Sequence, residues 1–127
     1  LNYLVLGTGN KSEIMIGYYT KYGDGGVDLE PLGALYKSEV YQLAEYLGVP
    51  KPILTKAPTA GLWEQQTDED EMGMTYDTLE KALRVIENNG LNEYDGEELA
   101  PDNLDKVQQI YRATRHKREM PPSCKLD

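Results

Sequence analysis

Residues 7–13, Gly-Thr-Gly-Asn-Lys-Ser-Glu, decide the fold of this 127-residue chain. They follow the apolar run Tyr-Leu-Val-Leu at residues 3–6, which predicts a short, fully buried strand. Asn10 or Ser12 is then expected to cap a helix that runs to about Tyr19. A buried strand that turns directly into a helix predicts an α/β fold, in which a parallel sheet is flanked by helices.

The glycine turn at residues 7–9 indicates a site for an anion. At the C-terminal end of a parallel strand, such a turn lets the backbone and the Thr8 hydroxyl approach a ligand closely. The helix N-terminus beside it favours negative charge. Glu13, one turn into the helix, could hold a hard cation through its carboxylate oxygens. A tight turn with a capped helix and no ligand explains the same residues.

A second glycine-rich stretch, Thr-Lys-Tyr-Gly-Asp-Gly-Gly-Val-Asp, occupies residues 20–28. Glycine loses more conformational entropy on folding than other residues, so this density of glycine is costly in an ordinary loop. Lys21 and Asp28 are its candidate ligand-binding side chains, while a plain surface loop is the alternative.

Lys37 opens a predicted helix over residues 37–47, with Val40, Leu43, Ala44 and Leu47 as its inward face. A lysine in the first turn opposes the helix dipole, so a bound phosphate would explain its presence. A solvent-facing lysine is the commoner alternative. Thr59 lies in an irregular, proline-containing segment over residues 52–63, as a candidate hydroxyl on a rigid turn or as a simple Pro-Thr turn.

The remaining segments predict two helices, an acidic loop and a basic tail. One helix covers residues 76–89, with Thr75 as cap and Leu79, Leu83 and Ile86 inward, and the other starts at Asp102. Residues 67–71 read as a solvated acidic loop without calcium-binding spacing, and residues 91–101 as a variable surface loop. The basic run at residues 115–118 could bind phosphate or simply end a helix with cations.

Composition excludes several functions. A net charge of -9 argues against a broad nucleic-acid surface, because phosphate neutralisation needs a basic face. Cys124 is the only cysteine, so an internal disulfide is excluded and a reducing, cytoplasmic compartment is expected. No apolar run approaches the roughly 18 residues that span a membrane. The chain begins at Leu1, directly before an apolar run, and we expect further strands of the sheet upstream of it.

Several motifs occur in one order along the chain and together resemble the synthetase domain of NAD synthetase. They are residues 7–13, 17–28, 31–32, 35–37, 58–63, 66–69 and 116–118. The resemblance weakens only over residues 88–101.

The resemblance implies an adenine nucleotide alpha-hydrolase-like, Rossmann-like fold that works as a cytoplasmic homodimer. It implies that ATP adenylates the nicotinate carboxylate of deamido-NAD with loss of pyrophosphate, after which ammonia displaces AMP to give NAD. Residues 1–127 would be the C-terminal part of a single synthetase domain. The family's pyrophosphate loop, Ser-Gly-Gly-x-Asp-Ser, is not in this sequence. We expect it in an upstream half, and expect the 127 residues alone to be inactive.

By resemblance, the site residues fall into three groups, with none assigned as catalytic. They are Thr8, Lys37 and Thr59 for ATP; Glu13 for Mg²⁺; and Lys21, Asp28, His116 and Lys117 for deamido-NAD.

Three alternatives stay open at this point. The nitrogen donor could be free ammonia, or glutamine through an attached glutaminase domain, although the loop over residues 24–28 favours the ammonia-dependent type. A different adenylating synthetase on the same fold, such as those making GMP or asparagine, is disfavoured by the loop over residues 21–28. A non-catalytic interaction module could retain the scaffold without the chemistry.

Overall fold

The computed structural model describes residues 2–88 and 99–124. Seven helices lie in this part of the chain, in the order α1 Lys11–Ile16, α2 Lys37–Tyr46, α3 Lys51–Leu54, α4 Asp68–Met72, α5 Tyr76–Glu87, α6 Pro101–Ala113 and α7 Arg115–Arg118. Among the described residues, no helix combines the length and apolarity needed to cross a bilayer.

Strand-like pairing in the described residues is limited to one parallel bridge between Leu6 and Leu29. The Gly7 amide donates to the Leu29 carbonyl at 2.7 Å, and the Leu29 amide donates to the Val5 carbonyl at 3.3 Å. The prediction of a fully buried strand at residues 3–6 is wrong for this chain, since Leu4 is 74% exposed. Apolarity predicts that a segment will be covered, and nothing among the described residues covers this one.

Helix α1 begins and ends at local signals. Asn10 accepts from the Glu13 amide, and Glu13 accepts from the Asn10 amide, which forms a complete capping box. The helix ends at Gly17, whose φ of 67° lies in the left-handed region. The predicted cap at Asn10 is therefore confirmed, while the expected extension to Tyr19 is wrong because Gly17 terminates the helix earlier.

The core lies where α1, α5 and α6 meet. Thr75 caps α5 as predicted, and Leu79 and Leu83 are fully buried on its inward face. Val107 of α6 is 0% exposed against the same cluster. The predicted start of α6 at Asp102 is correct to one residue, because Pro101 takes the first helical position.

Helix α2 keeps its predicted N-terminus at Lys37 but does not bury its apolar face. None of its residues is buried, and Leu47 at its C-terminal cap is 67% exposed. The periodicity is that of an amphipathic helix, but its described neighbours, which are α3, α5 and the first turn of α1, leave the apolar face open. The prediction that this face points into a core is wrong for this chain.

The acidic segment at residues 67–71 is a helix, not the predicted loop. Thr67 caps α4 by accepting from the Asp70 amide, and several carboxylates lie in the first turn, where the helix dipole favours them. Asp68 is only 4% exposed, which contradicts the expectation of a solvated segment. Within the predicted irregular stretch, residues 51–54 form α3. Most of the surface loop predicted at residues 91–101 lies outside the described residues.

The close contact between Gly17 and Thr114 predicts that a side chain at residue 17 destabilises the fold. A Cβ at Gly17 would lie 2.6 Å from Thr114 Cβ, whereas one at Gly48, which has a similar φ of 72°, would meet nothing within 4 Å. Both Gly17→Ala and Gly48→Ala force alanine into the left-handed region, at a cost of about 1 kcal/mol. We expect Gly17→Ala to lower the free energy of unfolding by at least about 1 kcal/mol more, through overpacking. Urea unfolding of the two full-length variants measures the difference, and equal destabilisation would contradict the contact.

Candidate functional site

A cleft of about 560 Å³ opens beside the C-terminal end of α1. Four of the predicted ligand residues line it: Glu13, Lys37, Thr59 and Lys117. Thr8 lines a second cavity of about 250 Å³, which shares Glu13 and Asp24 with the cleft. Residues from four separate segments of the chain therefore converge on one region.

Glu13 and Lys37 form an ion pair at the wall of this cleft. Glu13 Oε1 lies 3.0 Å from Lys37 Nζ, and the two side chains are 17% and 19% exposed. The other carboxylate oxygen of Glu13 accepts from the Asn10 amide at 3.1 Å in the capping box. The capping box thus fixes the carboxylate and leaves Oε1 directed at the lysine. A partly buried pair of opposite charges is suited to bind a cation and an anion side by side.

Two tyrosines and an aspartate surround this pair, and sequence reasoning missed all three. Tyr76 donates to Asp68 Oδ2 at 3.0 Å, and Tyr18 donates to Asp68 Oδ1 at 3.2 Å. Lys37 Nζ lies 5.2 Å from the centre of the Tyr76 ring, within cation–π range. Burial, followed by the charges of Glu13 and Asp68, raises the pKa of Tyr76 well above its usual value, so its hydroxyl stays protonated.

The Asp68 segment is also tied to the loop that carries Thr59. The Asp68 amide donates to the Pro58 carbonyl at 3.0 Å, so the start of α4 lies against this loop. The motif at residues 66–69 was recognised in the sequence, but a run of acidic residues gave no sign that one of them is buried. The useful signal was Thr67, because a good N-cap predicts a helix in place of a loop.

The basic tail contacts the end of α1. Lys117 Nζ donates to the carbonyls of Gly17 at 2.7 Å and Tyr19 at 2.6 Å. Lys21 donates to the backbone carbonyl of His116, which brings the predicted Lys21, His116 and Lys117 together. The His116 ring is exposed. These two hydrogen bonds to backbone carbonyls hold the Lys117 ammonium group at the edge of the cleft.

Asp28 lies apart from the lysine cluster. Its Oδ2 accepts from the Val5 amide at 2.8 Å, beside the Leu6–Leu29 bridge. Asp28 is exposed and does not line either cavity described above. Because Asp28 lies outside the cleft, its assignment to deamido-NAD stays a prediction.

The Glu30 carboxylate lies against the glycines at residues 7 and 9. A Cβ at Gly7 would lie 2.4 Å from the Glu30 carboxylate, and one at Gly9 would lie 3.2 Å from it. Glu30 lines the cavity that also contains Thr8, and its Oε2 is buried without a hydrogen-bond partner in the described residues. The Glu30 carboxylate therefore lies beside the glycine turn at which the sequence predicts a ligand.

Glu13 fits a partial role in holding Mg²⁺. In residues 2–88 and 99–124, no group of three or more His, Cys, Asp or Glu side chains is arranged to hold a metal ion. Mg²⁺ is commonly held by only one or two carboxylates together with substrate phosphates and water. A single partly buried carboxylate that faces a cleft satisfies the protein's share of that arrangement.

The sequence matches the NAD synthase family over residues 1–121, and the chain belongs to that family. It is 53% identical over 126 residues to the NH(3)-dependent NAD(+) synthetase of Archaeoglobus fulgidus, covering 99% of this chain and 48% of that protein. It is 52% identical over 121 residues to the enzyme of the same name from Syntrophomonas wolfei, covering 95% and 44%. The chain spans about half the length of these curated relatives.

Solved structures give the same result for the fold. The NMN synthetase from Francisella tularensis matches with a TM-score of 0.83 and 41% identity, over 98% of this chain and 48% of that one. The NH3-dependent NAD synthetase from Campylobacter jejuni, in complex with nitrate, matches with a TM-score of 0.71 and 30% identity, over 98% and 46%. The described residues therefore have the fold of NAD and NMN synthetases.

The buried Asp68 generates a prediction for stability. Asp68→Ala removes the 3.0 Å hydrogen bond of Tyr76, which keeps only Glu13 at 3.4 Å, and leaves Tyr18 with Glu71 alone; a lost hydrogen bond to a charged group costs about 2 kcal/mol. We expect Asp68→Ala to lower the free energy of unfolding by about that amount. Asp105→Ala, at an exposed aspartate of α6, is the control and should stay within about 0.5 kcal/mol. Denaturant unfolding of both full-length variants is the measurement, and a silent Asp68→Ala would contradict the role of the buried carboxylate.

Proposed function

We propose that the full-length protein makes NAD from deamido-NAD, ATP and ammonia. The observation that carries this proposal is the Glu13–Lys37 pair, which lines one cleft together with Thr59 and Lys117 in a chain of the NAD synthase family. Family membership favours this reaction over GMP or asparagine synthesis. The names of the relatives favour ammonia as the nitrogen donor over glutamine.

Lys37 and Thr59 are the proposed ATP contacts in the cleft, with Thr8 in the adjoining cavity. The nicotinate carboxylate attacks the α-phosphorus, and the bond from that phosphorus to the pyrophosphate oxygen breaks. Lys37 Nζ, at the first residue of α2, would stabilise the charge that develops on the departing phosphates. Ammonia then attacks the carbonyl carbon of the acyl adenylate, and AMP leaves with the C–O electron pair.

Glu13 is the proposed ligand for Mg²⁺. When bound, Mg²⁺ would neutralise negative charge on the polyphosphate. Glu13 would hold the ion, and Lys37 would then be free to contact a phosphate. The capping box keeps the Glu13 carboxylate in place, since it uses the oxygen that does not face Lys37.

Lys21, His116 and Lys117 are the proposed contacts for deamido-NAD, together with Asp28. The hydrogen bond between Lys21 and the His116 carbonyl supports a shared role for the first three. The positive charges of Lys21 and Lys117 suit the pyrophosphate of a dinucleotide. Asp28 would supply an acceptor, for example for a ribose hydroxyl.

The wider organisation also forms part of the proposal. Residues 1–127 would be the C-terminal part of one synthetase domain, whose parallel sheet continues from the Leu6–Leu29 bridge into an upstream half that carries the pyrophosphate loop. The exposed residues 3–6 and the exposed face of α2 support further covering elements, either that half or the second subunit of a homodimer. We also propose that the enzyme is cytoplasmic, which agrees with the use of ATP and deamido-NAD as substrates.

A second candidate is amidation of the mononucleotide, which would give NMN. The specific observation that favours it is the higher structural similarity to the F. tularensis NMN synthetase than to the C. jejuni NAD synthetase. The chemistry at the carboxylate is identical, and only recognition of the adenylate half differs. The two candidates therefore predict different substrate preferences for one active site.

Product formation by the full-length protein tests the reaction. We expect NAD from Mg-ATP, deamido-NAD and ammonium, with AMP and pyrophosphate in equal amounts. NMN formed faster from nicotinate mononucleotide than NAD from deamido-NAD would favour the second candidate. NAD from glutamine as well as ammonium would indicate an attached glutaminase. If neither NAD nor NMN forms with ammonium or with glutamine, the proposal is wrong and a non-catalytic module is favoured. The 127 residues assayed alone should be inactive.

Lys37→Ala tests the proposed ATP contact. Removing the ammonium group should weaken Mg-ATP binding and lower turnover by about 100-fold together, as expected for a charge that acts on the phosphates. Lys51→Ala is the matched control, because Lys51 is an exposed lysine at the start of α3, outside the cleft. Calorimetry for Mg-ATP and steady-state kinetics measure both quantities. Unchanged affinity and turnover in Lys37→Ala would show that the assignment is wrong.

A further inference from the structure

Beneath the Glu13–Lys37 pair lies a carboxylate to which no role has yet been given. Glu80 of α5 is 5% exposed. Its Oε1 accepts from Ser12 Oγ at 3.1 Å and from the Ser38 amide at 3.0 Å. Its Oε2 accepts from Ser38 Oγ at 2.5 Å. One buried side chain therefore binds two helices, α1 through Ser12 and α2 through Ser38.

Ser12 extends this contact to the backbone of Lys37. Its hydroxyl donates to Glu80 and accepts from the Lys37 amide at 3.1 Å. Lys37 and Ser38 are the first two residues of α2, whose amides have no partner within the helix. Glu80 and Ser12 together satisfy these two donors. Asn10 caps α1 with its side chain, and at the start of α2 Glu39 accepts from the Tyr36 amide, so Glu80 adds the connection between the helices.

The two helices meet as two adjacent pairs of residues. Ser12 and Ser38 share Glu80 on the buried side, while their sequence neighbours Glu13 and Lys37 form the ion pair on the cleft side. The position of the ion pair thus depends on the same backbone contact that Glu80 fixes. A buried carboxylate is costly unless it is fully hydrogen-bonded, and here the donors and the positive ends of two helices supply that compensation.

We propose that Glu80 is a positioning residue that sets the place of Lys37, and thereby the affinity of the site for ATP, through Ser12 and Ser38. It does not touch the ligand. Its effect arises because Lys37 must reach the phosphates from a fixed backbone, and a small misplacement of a binding group is costly. This inference rests on the proposed function only in taking Lys37 as the ATP contact.

The test compares variants of the full-length protein by calorimetric binding of Mg-ATP, with thermal unfolding recorded for each. Glu80→Ala should weaken Mg-ATP binding about tenfold, the usual effect of losing hydrogen bonds to a charged group. Glu80→Gln should remain within about twofold, because its amide oxygen can accept from Ser38 N while its NH₂ donates to Ser38 Oγ. Binding of deamido-NAD should be unchanged in both variants.

Leu83→Ala separates positioning from general destabilisation. Leu83 lies one turn further along α5 and is fully buried in the core, so its truncation lowers stability without removing a hydrogen bond to Ser12 or Ser38. We expect this variant to unfold at a lower temperature and yet bind Mg-ATP within about twofold of the wild type. An equal loss of affinity in Leu83→Ala and Glu80→Ala would overturn the inference.

Ser12→Ala keeps the inference testable if Glu80→Ala does not fold. This change removes only the hydroxyl between Glu80 and the Lys37 amide, and we expect affinity for Mg-ATP to fall about threefold. Unchanged affinity in a folded Glu80→Ala, or in Ser12→Ala, would overturn the inference. A wild-type protein that binds Mg-ATP but forms no NAD would overturn the proposed function alone, because the binding comparison still decides the role of Glu80.

Discussion

The rest of the site depends on the double use of the Glu13 carboxylate. One oxygen closes the capping box of α1, and the other pairs with Lys37 across the gap to α2. Because both oxygens are engaged, the carboxylate cannot rotate away without losing a helix cap, which is worth about 1 kcal/mol. A local helix signal and a long-range ion pair are thus carried by one side chain. That coupling gives the cleft a defined charge arrangement before any ligand arrives.

Features set by local chemistry could be predicted from the sequence. Asn10 and Thr75 cap their helices as expected, because an N-cap needs only its own side chain and an amide two or three residues ahead. The inward face of α5 also follows from its apolar spacing, since Leu79 and Leu83 have the partners they need in α1 and α6. Ligand roles for Glu13, Lys37, Thr59 and Lys117 were assigned by resemblance, and one cleft contains all four residues.

Features set by distant partners could not be predicted. Residues 3–6 and the apolar face of α2 are exposed, because a pattern of apolar residues indicates that a surface will be covered without indicating by what. The burial of Asp68 and Glu80 could not be predicted either, because both are polar residues that are expected at the surface. Each is a polar residue in a polar stretch, and each is buried by donors that are 50 to 68 positions away or on another helix. Local composition carries no information about such pairings.

The charge balance of the chain constrains how the proposed ligands could bind. At a net charge of -9, these 127 residues as a whole repel ATP and a dinucleotide, so their attraction for the ligands has to come from a few positioned cations. Lys37 is held by Glu13, and Lys117 by two backbone carbonyls. A polyphosphate that arrived without a metal and drew Lys37 away would leave the Glu13 carboxylate unpaired and close to further negative charge. A metal that arrived alone would leave Lys37 beside a second cation. On the proposed function, Glu13 would hold the metal while Lys37 would contact the phosphates, so each charge of the pair would keep an opposite partner only if ATP binds as its magnesium complex.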